Sequence, residues 1–445
     1  MWTRVHTNSG QSVGMFASVR AAIDAAPPGA VVTLPAGSVD LGASLHINKP
    51  LTLRGTTRVS PTFGQGVLQN LTCITGMPKD DEEAMISIAQ GSGMGTSAPR
   101  SGVVIERLRI RCDRVPEVKS SQRAKEGIDG IRIRGGDVGT VTRVDIIDCD
   151  LSHGSGGIAI QLTNEGQPDN NLFVRIEGCH IHDTFPSIIA LADGRLHRAS
   201  HSQGVYFAGG TITMTRCVIE RIGYVRGSRI FTRTNKNQGV YGASGTFLLT
   251  ENVVSDVSHC CYQYRACIVT SIGNIADLSP MGFQFGHREN ADYARAGRGI
   301  LAVVVSERDR VRRPRPFPDR QLGGPTLGCG VHFDDAGSIR VRDLVIDGDG
   351  GIFGGWGGLH LSRVNDTIID VDGIGVRGWA KGLHCNWPLA ANARHRWRRV
   401  VLRDCEPMLS VPWRDEGDLT TKMGGRWEAC ELGPLAETLT EQLVA

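Results

Sequence analysis

Residues able to take, give or share protons recur at one place in a short phrase repeated down the second half of the chain. The phrase is glycine, apolar, polar, apolar. It reads Gly204-Val205-Tyr206-Phe207, Gly239-Val240-Tyr241, Gly282-Phe283-Gln284-Phe285, Gly330-Val331-His332-Phe333, Gly358-Leu359-His360-Leu361 and Gly382-Leu383-His384-Cys385, with Tyr262-Gln263-Tyr264 as a variant lacking the glycine. Successive side chains of a strand point to opposite faces, so the apolar pair faces a core and the middle residue faces out. Parallel stacking would gather Tyr206, Tyr241, Gln263, Gln284, His332, His360 and His384 in one external column. A structural repeat needs only the apolar pair. Polar groups in every outward slot predict a surface that does acid–base chemistry or binds sugar hydroxyls.

The alternation puts a second outward residue two positions on: Arg265, Asp334, Ser362 and Asn386. Stacked strands lie about 4.8 Å apart, so adjacent coils can share a substrate. Tyr241, Gln263, Arg265, Gln284, His287, Arg288, His332, Asp334, Asp335 and His360 then form one set, and such a set can eliminate across a uronic-acid sugar. Arg265 or Arg288 would neutralise the carboxylate so that the C5 proton becomes removable. His332 or Tyr241 would be the base, the other would protonate the leaving oxygen, and Asp334 would fix the histidine tautomer. Hydrolysis is the close competitor and needs two carboxyl groups about 5 to 9.5 Å apart. Asp334 and Asp335 are candidates, although adjacent strand residues point apart. Three histidines on successive coils would span nearly 10 Å against Zn–N bonds of about 2.0–2.1 Å, so hydrogen bonding is preferred there and neither metal nor other cofactor is expected.

The elements that must position this column announce themselves in a second repeat. An apolar strand leads to Cys or Asn at Cys112, Cys149, Cys179, Cys217, Asn252 and Asn274, then at Cys405 and Cys430, with gaps of 37, 30, 38, 35 and 22 residues from Cys112 to Asn274. Irregular spacing above a short minimum is what a solenoid gives when its turns carry insertions of different length. The Val/Ile/Leu-rich, glycine-punctuated runs favour strands over helices. Fifty-seven glycines suit a chain that turns constantly.

The N-terminal end carries a different pattern. Apolar residues at 16, 19, 22, 23 and 26 have helical spacing, and Pro27-Pro28-Gly29 stops the helix. Val31-Val32-Thr33-Leu34-Pro35-Ala36-Gly37 and Lys49-Pro50-Leu51-Thr52-Leu53-Arg54-Gly55 follow. A short amphipathic helix, Pro-Gly, a strand ending Leu-Pro-x-Gly and then Lys-Pro-Leu-Thr-Leu-Arg-Gly resembles the first coils of the right-handed parallel β-helix proteins of the pectin-lyase-like superfamily. The resemblance implies an all-β, single-domain parallel β-helix over residues 16–432. Its helix, 16–26, would plug one end, and long loop insertions would flank one groove. Residues 1–15 would be an extension and 433–445 a C-terminal helical tail. The superfamily holds lyases, hydrolases, epimerases, esterases and phage tailspikes, so the resemblance speaks for fold more than for activity. Asp334-Asp335 resembles the paired aspartates of β-helix polygalacturonases, but that family's third aspartate and its Gly-His-Gly and Arg-Ile-Lys signatures are not found.

Composition bounds the rest. A hydrophobic fraction of 40% in 445 residues is ample for a core, and no stretch approaches a membrane span. The first residues lack the layout of a secretory signal, which predicts a cytoplasmic or phage-borne protein, or one secreted with its signal removed. The twelve cysteines read as small buried side chains in the repeating slot rather than as disulfides or a zinc set. Late tryptophans (Trp356, Trp379, Trp387, Trp397) read as core more than as sugar platforms.

Net charge is only +3, yet arginines cluster. Arg295, Arg298, Arg308, Arg310, Arg312, Arg313, Arg315 and Arg320 lie between the Gln284 and His332 coils, and Arg226, Arg229, Arg233 and Lys236 between the Tyr206 and Tyr241 coils. Read as loops beside the column, they would draw in an anionic polysaccharide or oligosaccharide. Arg229, Lys236, Arg312, Arg313, His287 and Arg288 thus join Tyr206, Gln263, Gln284, His360 and His384 as binding candidates. No element for reading nucleic acid is evident. The reading is a carbohydrate-active β-helix enzyme, foremost a polysaccharide lyase; a glycoside hydrolase and a non-catalytic tailspike-like binder are the alternatives, with the oligomeric state open and a trimer among the options.

Overall fold

Strict alternation organises the strands. Leu172–Glu177 buries every other side chain, with Leu172, Val174 and Ile176 inward and Phe173 and Arg175 outward. A computed structural model describes residues 2–56, 72–75, 84–89, 102–111, 118–119, 129–134, 142–152, 158–163, 172–185, 188–190, 196–198, 202–224, 237–287, 301–315, 328–348, 357–379, 381–386, 394–405, 409–410, 426–428 and 431–432. They fall into two compact units, Met1–Asn237 and Gln238–Ala445.

In the first unit the chain runs repeatedly through three strand positions, and each strand pairs in parallel with its counterpart one coil on. One wall stacks Leu45–Ile47, Ala84–Ala89, Asp129–Arg134, Ile158–Thr163 and the start of Gln203–Thr215. A second stacks Ala30–Thr33, Leu51–Arg54, Val103–Glu106, Thr142–Ile147, Leu172–Glu177 and the end of Gln203–Thr215. The third stacks Gly37–Asp40, Thr72–Thr75, Arg109–Arg111, Asp150–Ser152, His180–Thr184 and Val218–Ile222. The second unit repeats the plan. Its first wall contains Gln238–Thr250, Cys260–Ile272, Met281–Phe285, Cys329–Asp334, Gly357–Ser362 and Leu383–Cys385. This is a parallel β-helix, and the near-universal hand of parallel crossovers makes its coil right-handed.

The corner between the second and third walls explains the Cys/Asn slot from Cys149 to Asn274, but not Cys405, which follows the next wall, the inward residue after its coil's corner residue Arg399 being Val400. One residue there adopts a left-handed conformation in each coil, at Arg107, Asp148, Gly178 and Arg216 in the first unit and Glu251, Gly273, Arg308, Asp343, Gly373 and Arg399 in the second. The next residue then points inward, and its type depends on what backbone it meets. Cys149, Cys179 and Cys217 form no disulfide, are fully buried, and donate Sγ–H to carbonyls of Ile147, Ile146 and Ile176. Asn252 donates its backbone N–H and its side-chain amide to Asn274 Oδ1, each at 2.9 Å. Asn274 N–H in turn donates to Asp309 Oδ1 at 2.8 Å. Asp309 is thus a third rung that the sequence reading missed, although Arg308-Asp309-Arg310 has the offset of Glu251-Asn252-Val253. Cys112 and Cys430 lie outside the described residues.

The glycine that leads each polar phrase has a steric cause. A Cβ on Gly239 would sit 2.1 Å from Val254 Cγ1, on Gly282 2.6 Å from Val311 Cγ2, on Gly330 2.2 Å from Ile346 Cγ2, and on Gly358 2.3 Å from Val376 Cγ1. First-wall glycines therefore let third-wall aliphatics close the corner. Behind them the second unit's core carries stacked rings: Tyr262 on Phe283 at 4.7 Å, Phe285 on Phe333 at 5.7 Å and Phe333 facing Trp397 at 6.4 Å. Trp379 and Trp397 are buried, as expected of core tryptophans.

The ends differ in detail from expectation. The helix is Val19–Ala25, shorter than 16–26, because Ser18 is extended and caps it by accepting from Ala21 N–H at 3.1 Å. Within the N-terminal extension, Thr3–His6 pairs antiparallel with Ser12–Phe16 and with Ala30–Thr33. The tail 433–445 lies outside the described residues. The arginine-rich stretch expected as a loop contributes wall strands, Val303–Glu307 and Arg310–Arg312.

Candidate functional site

The column forms in the second unit, in register. Tyr241 pairs with Gln263, Gln263 with Gln284, Gln284 with His332, His332 with His360, and His360 with His384. Gln238 Nε2 donates to Gln263 Oε1 and Gln263 Nε2 to Gln284 Oε1, both at 2.7 Å, so the amides form a ladder. The imidazoles stack, His332 on His360 at 4.5 Å and His360 on His384 at 5.3 Å. Tyr206 belongs to the first unit, where it pairs with Gln161 and is half-buried.

Exposure corrects the expectation. Gln263, Gln284, His332, His360 and His384 are all less than a tenth exposed, although Phe283, Phe285, Val331 and Phe333 already fill the opposite, inner face. Burial, with the cation of Arg363 nearby, pushes His332 down to about 3; burial, then its histidine neighbours, pushes His360 down to about 2. Both are neutral imidazoles at ordinary pH and weak bases. Three coil steps, roughly 14 Å, separate His332 from Tyr241, too far for the two to serve one glycosidic bond. Asp334 and Asp335 are buried, the strand ends at Asp334, and Asp335 takes a left-handed φ of 27°. His332 with its two aspartates is therefore a poor catalytic centre.

The other end of the column sets a buried ring, Tyr241, beside a partly exposed cation. Arg265, partly exposed on the same strand face as Gln263, places its guanidinium carbon 5.0 Å from the centre of the Tyr241 ring. A phenol and a guanidinium thus share one edge of the wall.

The basic walls are weaker than the sequence implied, because acids from neighbouring coils were not counted. Arg313 Nε donates to Asp277 Oδ1 at 3.0 Å and Arg315 Nη1 to Asp256 Oδ1 at 2.6 Å. Arg312 is exposed and lies opposite Asp277 in register. His287 is half-buried at the end of its coil; Arg229, Lys236 and Arg288 lie outside the described residues.

A cluster in the first unit escaped sequence reading. His180-Ile181-His182 alternates, so both imidazoles leave the third wall on one face beside Asp150 of the preceding coil. His182 Nε2 lies 3.4 Å from Asp150 Oδ1, and His180 Nδ1 lies 3.8 Å from Oδ2. The other ring nitrogens meet carboxylates as well, His182 Nδ1 with Asp183 at 2.5 Å and His180 Nε2 with Glu220 at 3.1 Å. Arg221 donates to Asp183 Oδ1 at 2.7 Å and Oδ2 at 3.0 Å and also pairs with Glu220, while Arg109 Nε reaches Asp150 at 3.2 Å. Burial alone would lower His182, but Asp150 and Asp183 overcome it and raise the imidazole to about 9. Asp150, Asp183 and Glu220 are held low, their partners outweighing desolvation. The signal available was the His-x-His spacing directly after slot residue Cys179.

Comparison with solved structures agrees with the fold. The chain is similar to the A-module of the Azotobacter vinelandii mannuronan C-5 epimerase AlgE6, with a TM-score of 0.51 and 13% identity over 93% of this chain and 94% of that one. It is also similar to the A-module of AlgE4 from the same organism (TM-score 0.48, 13% identity, 93% and 95% covered) and to the Dettilon tailspike protein (TM-score 0.43, 11% identity, 86% and 62% covered). At such identities the likeness is one of fold, a parallel β-helix. No protein-family model and no curated protein matches the chain.

Proposed function

We propose that this protein is a carbohydrate-active β-helix enzyme that removes the C5 proton of a uronate residue in an acidic polysaccharide, with β-elimination as the outcome. One observation carries the reading: the guanidinium of partly exposed Arg265 beside the ring of buried Tyr241, at the end of the polar column away from the histidines. Arg265 would bind the uronate carboxylate and hold positive charge where the enolate develops. Tyr241, as phenolate, would take the C5 proton. The freed electron pair becomes the C4–C5 double bond, the C4–O4 bond breaks, and the phenol returns its proton to the departing oxygen. The name of the first solved structure above, a mannuronan C-5 epimerase, fits chemistry that begins at the same carbon.

The test is a panel of uronate polymers, mannuronan and polygalacturonate included, followed by ultraviolet absorbance of the unsaturated product and by a reducing-end assay. Tyr241→Phe, which removes one oxygen from a well-packed ring, should lower turnover about 10²- to 10⁴-fold with melting unchanged. New reducing ends without the absorbance would mean hydrolysis. Binding without product would leave a carbohydrate-binding β-helix, and inverted C5 without unsaturation would replace elimination by epimerisation.

A further inference from the structure

The Asp150, His180 and His182 side chains offer one ligand atom each, all within 4.8 Å of one another. We infer that they form a binding site for a divalent transition-metal ion of the zinc type, on a wall and in a unit separate from the proposed elimination chemistry. The ligands would be His180 Nδ1, His182 Nε2 and one Asp150 oxygen. With Zn–ligand bonds of about 2.0–2.1 Å, tetrahedral ligands sit roughly 3.3 Å apart. His182 Nε2 lies 3.4 Å from Asp150 Oδ1 and His180 Nδ1 lies 3.8 Å from Asp150 Oδ2, within about half an ångström of that spacing, so a small turn of the carboxylate brings one oxygen to both nitrogens. The imidazole rings are stacked with centres 4.2 Å apart, which brings their two inward nitrogens to the same carboxylate.

The surrounding groups make the stronger argument. A metal-bound histidine usually donates its remaining ring N–H to a carboxylate, which fixes its tautomer. Both histidines do so here, His180 through Nε2 to Glu220 and His182 through Nδ1 to Asp183. Arg221 braces both carboxylates. Its Nη2 also lies 3.2 Å from His182 Nδ1, but both groups are donors, so that contact follows from their shared partner Asp183. Among the groups in direct contact, three carboxylates face two guanidiniums, Arg109 and Arg221, which leaves one negative charge for a cation to balance. A proton on His182 and a metal ion are the two candidates for that place. Side-chain exposures of 16% for His180 and 14% for His182 let an ion enter from solvent, and three protein ligands leave a position open for water or a ligand oxygen.

The experiment uses tag-free, chelator-stripped full-length protein titrated with Co²⁺, whose visible absorption reports nitrogen–oxygen ligation, and with Zn²⁺ followed by dialysis and elemental analysis. The expected result is one equivalent bound and a Co²⁺ band displaced by Zn²⁺. His180→Ala and Asp150→Asn should abolish the band. Glu220→Gln, which leaves the ligands in place, should weaken binding about 10- to 100-fold. His384→Gln, in the other unit's ladder, should bind like wild type. Circular dichroism checks each fold, and His180→Gln replaces any variant that does not fold. No Co²⁺ band in folded wild-type protein, or an undiminished band in the folded His180 and Asp150 variants, overturns the site and leaves a proton-held ion-pair cluster.

Discussion

Asp309→Asn should make the second unit more stable at neutral pH, and the gain should vanish in acid. Asp309 is fully buried in the corner slot, where it accepts from Asn274 N–H at 2.8 Å, Asn274 Nδ2 at 3.3 Å and Ser306 Oγ at 2.7 Å. Desolvation outweighs these donors and raises the carboxyl to about 6 from 3.8. The unfolded chain ionises near pH 4 and the folded one near pH 6, so the unfolded state binds fewer protons in between and stability falls as pH rises through that window. The difference of about two pH units corresponds to about 3 kcal/mol, present as a penalty above pH 6 and absent below pH 4. Asparagine keeps an acceptor for Asn274, requires the Ser306 or Ser271 hydroxyl that now donates to the carboxylate to turn and accept, and carries no charge. Urea unfolding followed by tryptophan fluorescence, which reports buried Trp379 and Trp397, would compare both proteins from pH 4 to 8 at fixed salt. The difference in stability should grow from near zero to about 3 kcal/mol in favour of asparagine. A variant less stable than wild type at pH 7, or a difference independent of pH, would mean that the donors, not desolvation, decide this group.

The histidine stack predicts the opposite slope. His332 and His360 are neutral when folded, with values near 3 and 2 against 6.5; stability should be lost as pH falls below 6.5, by about 1 kcal/mol per histidine for the first pH unit. His360→Gln should flatten that loss in the same urea series, and an unchanged acid limb would refute the burial argument. Gly282→Ala should cost about 1–3 kcal/mol in thermal or urea unfolding, since its Cβ would meet Val311 Cγ2 and the Gly330 carbonyl at 2.6 Å; no loss would show that the corner can open.

Much of the architecture was legible in the chain because a solenoid writes each coil as a local phrase. The Gly-apolar-polar-apolar strands, the Cys and Asn corner residues and the register of Tyr241 through His384 all follow from period-two alternation plus one left-handed corner residue per coil. Burial was not legible. A polar residue on the outer face reads as exposed, yet His332, stacked on His360, is less than a tenth exposed, and this turned it from a candidate base into a neutral rung. Charge pairing was equally hidden: Asp277 and Asp256 lie 36 and 59 residues before the arginines they hold. The Asp150–His180–His182 cluster depends on the same fact, since its members come from two successive coils. Sequence alone determined the class of coil and which residues share a row, because strand geometry is local. Only the tertiary structure decided which row is dry, which charges are already paired and which titratable groups converge, because those depend on what the next coil brings alongside.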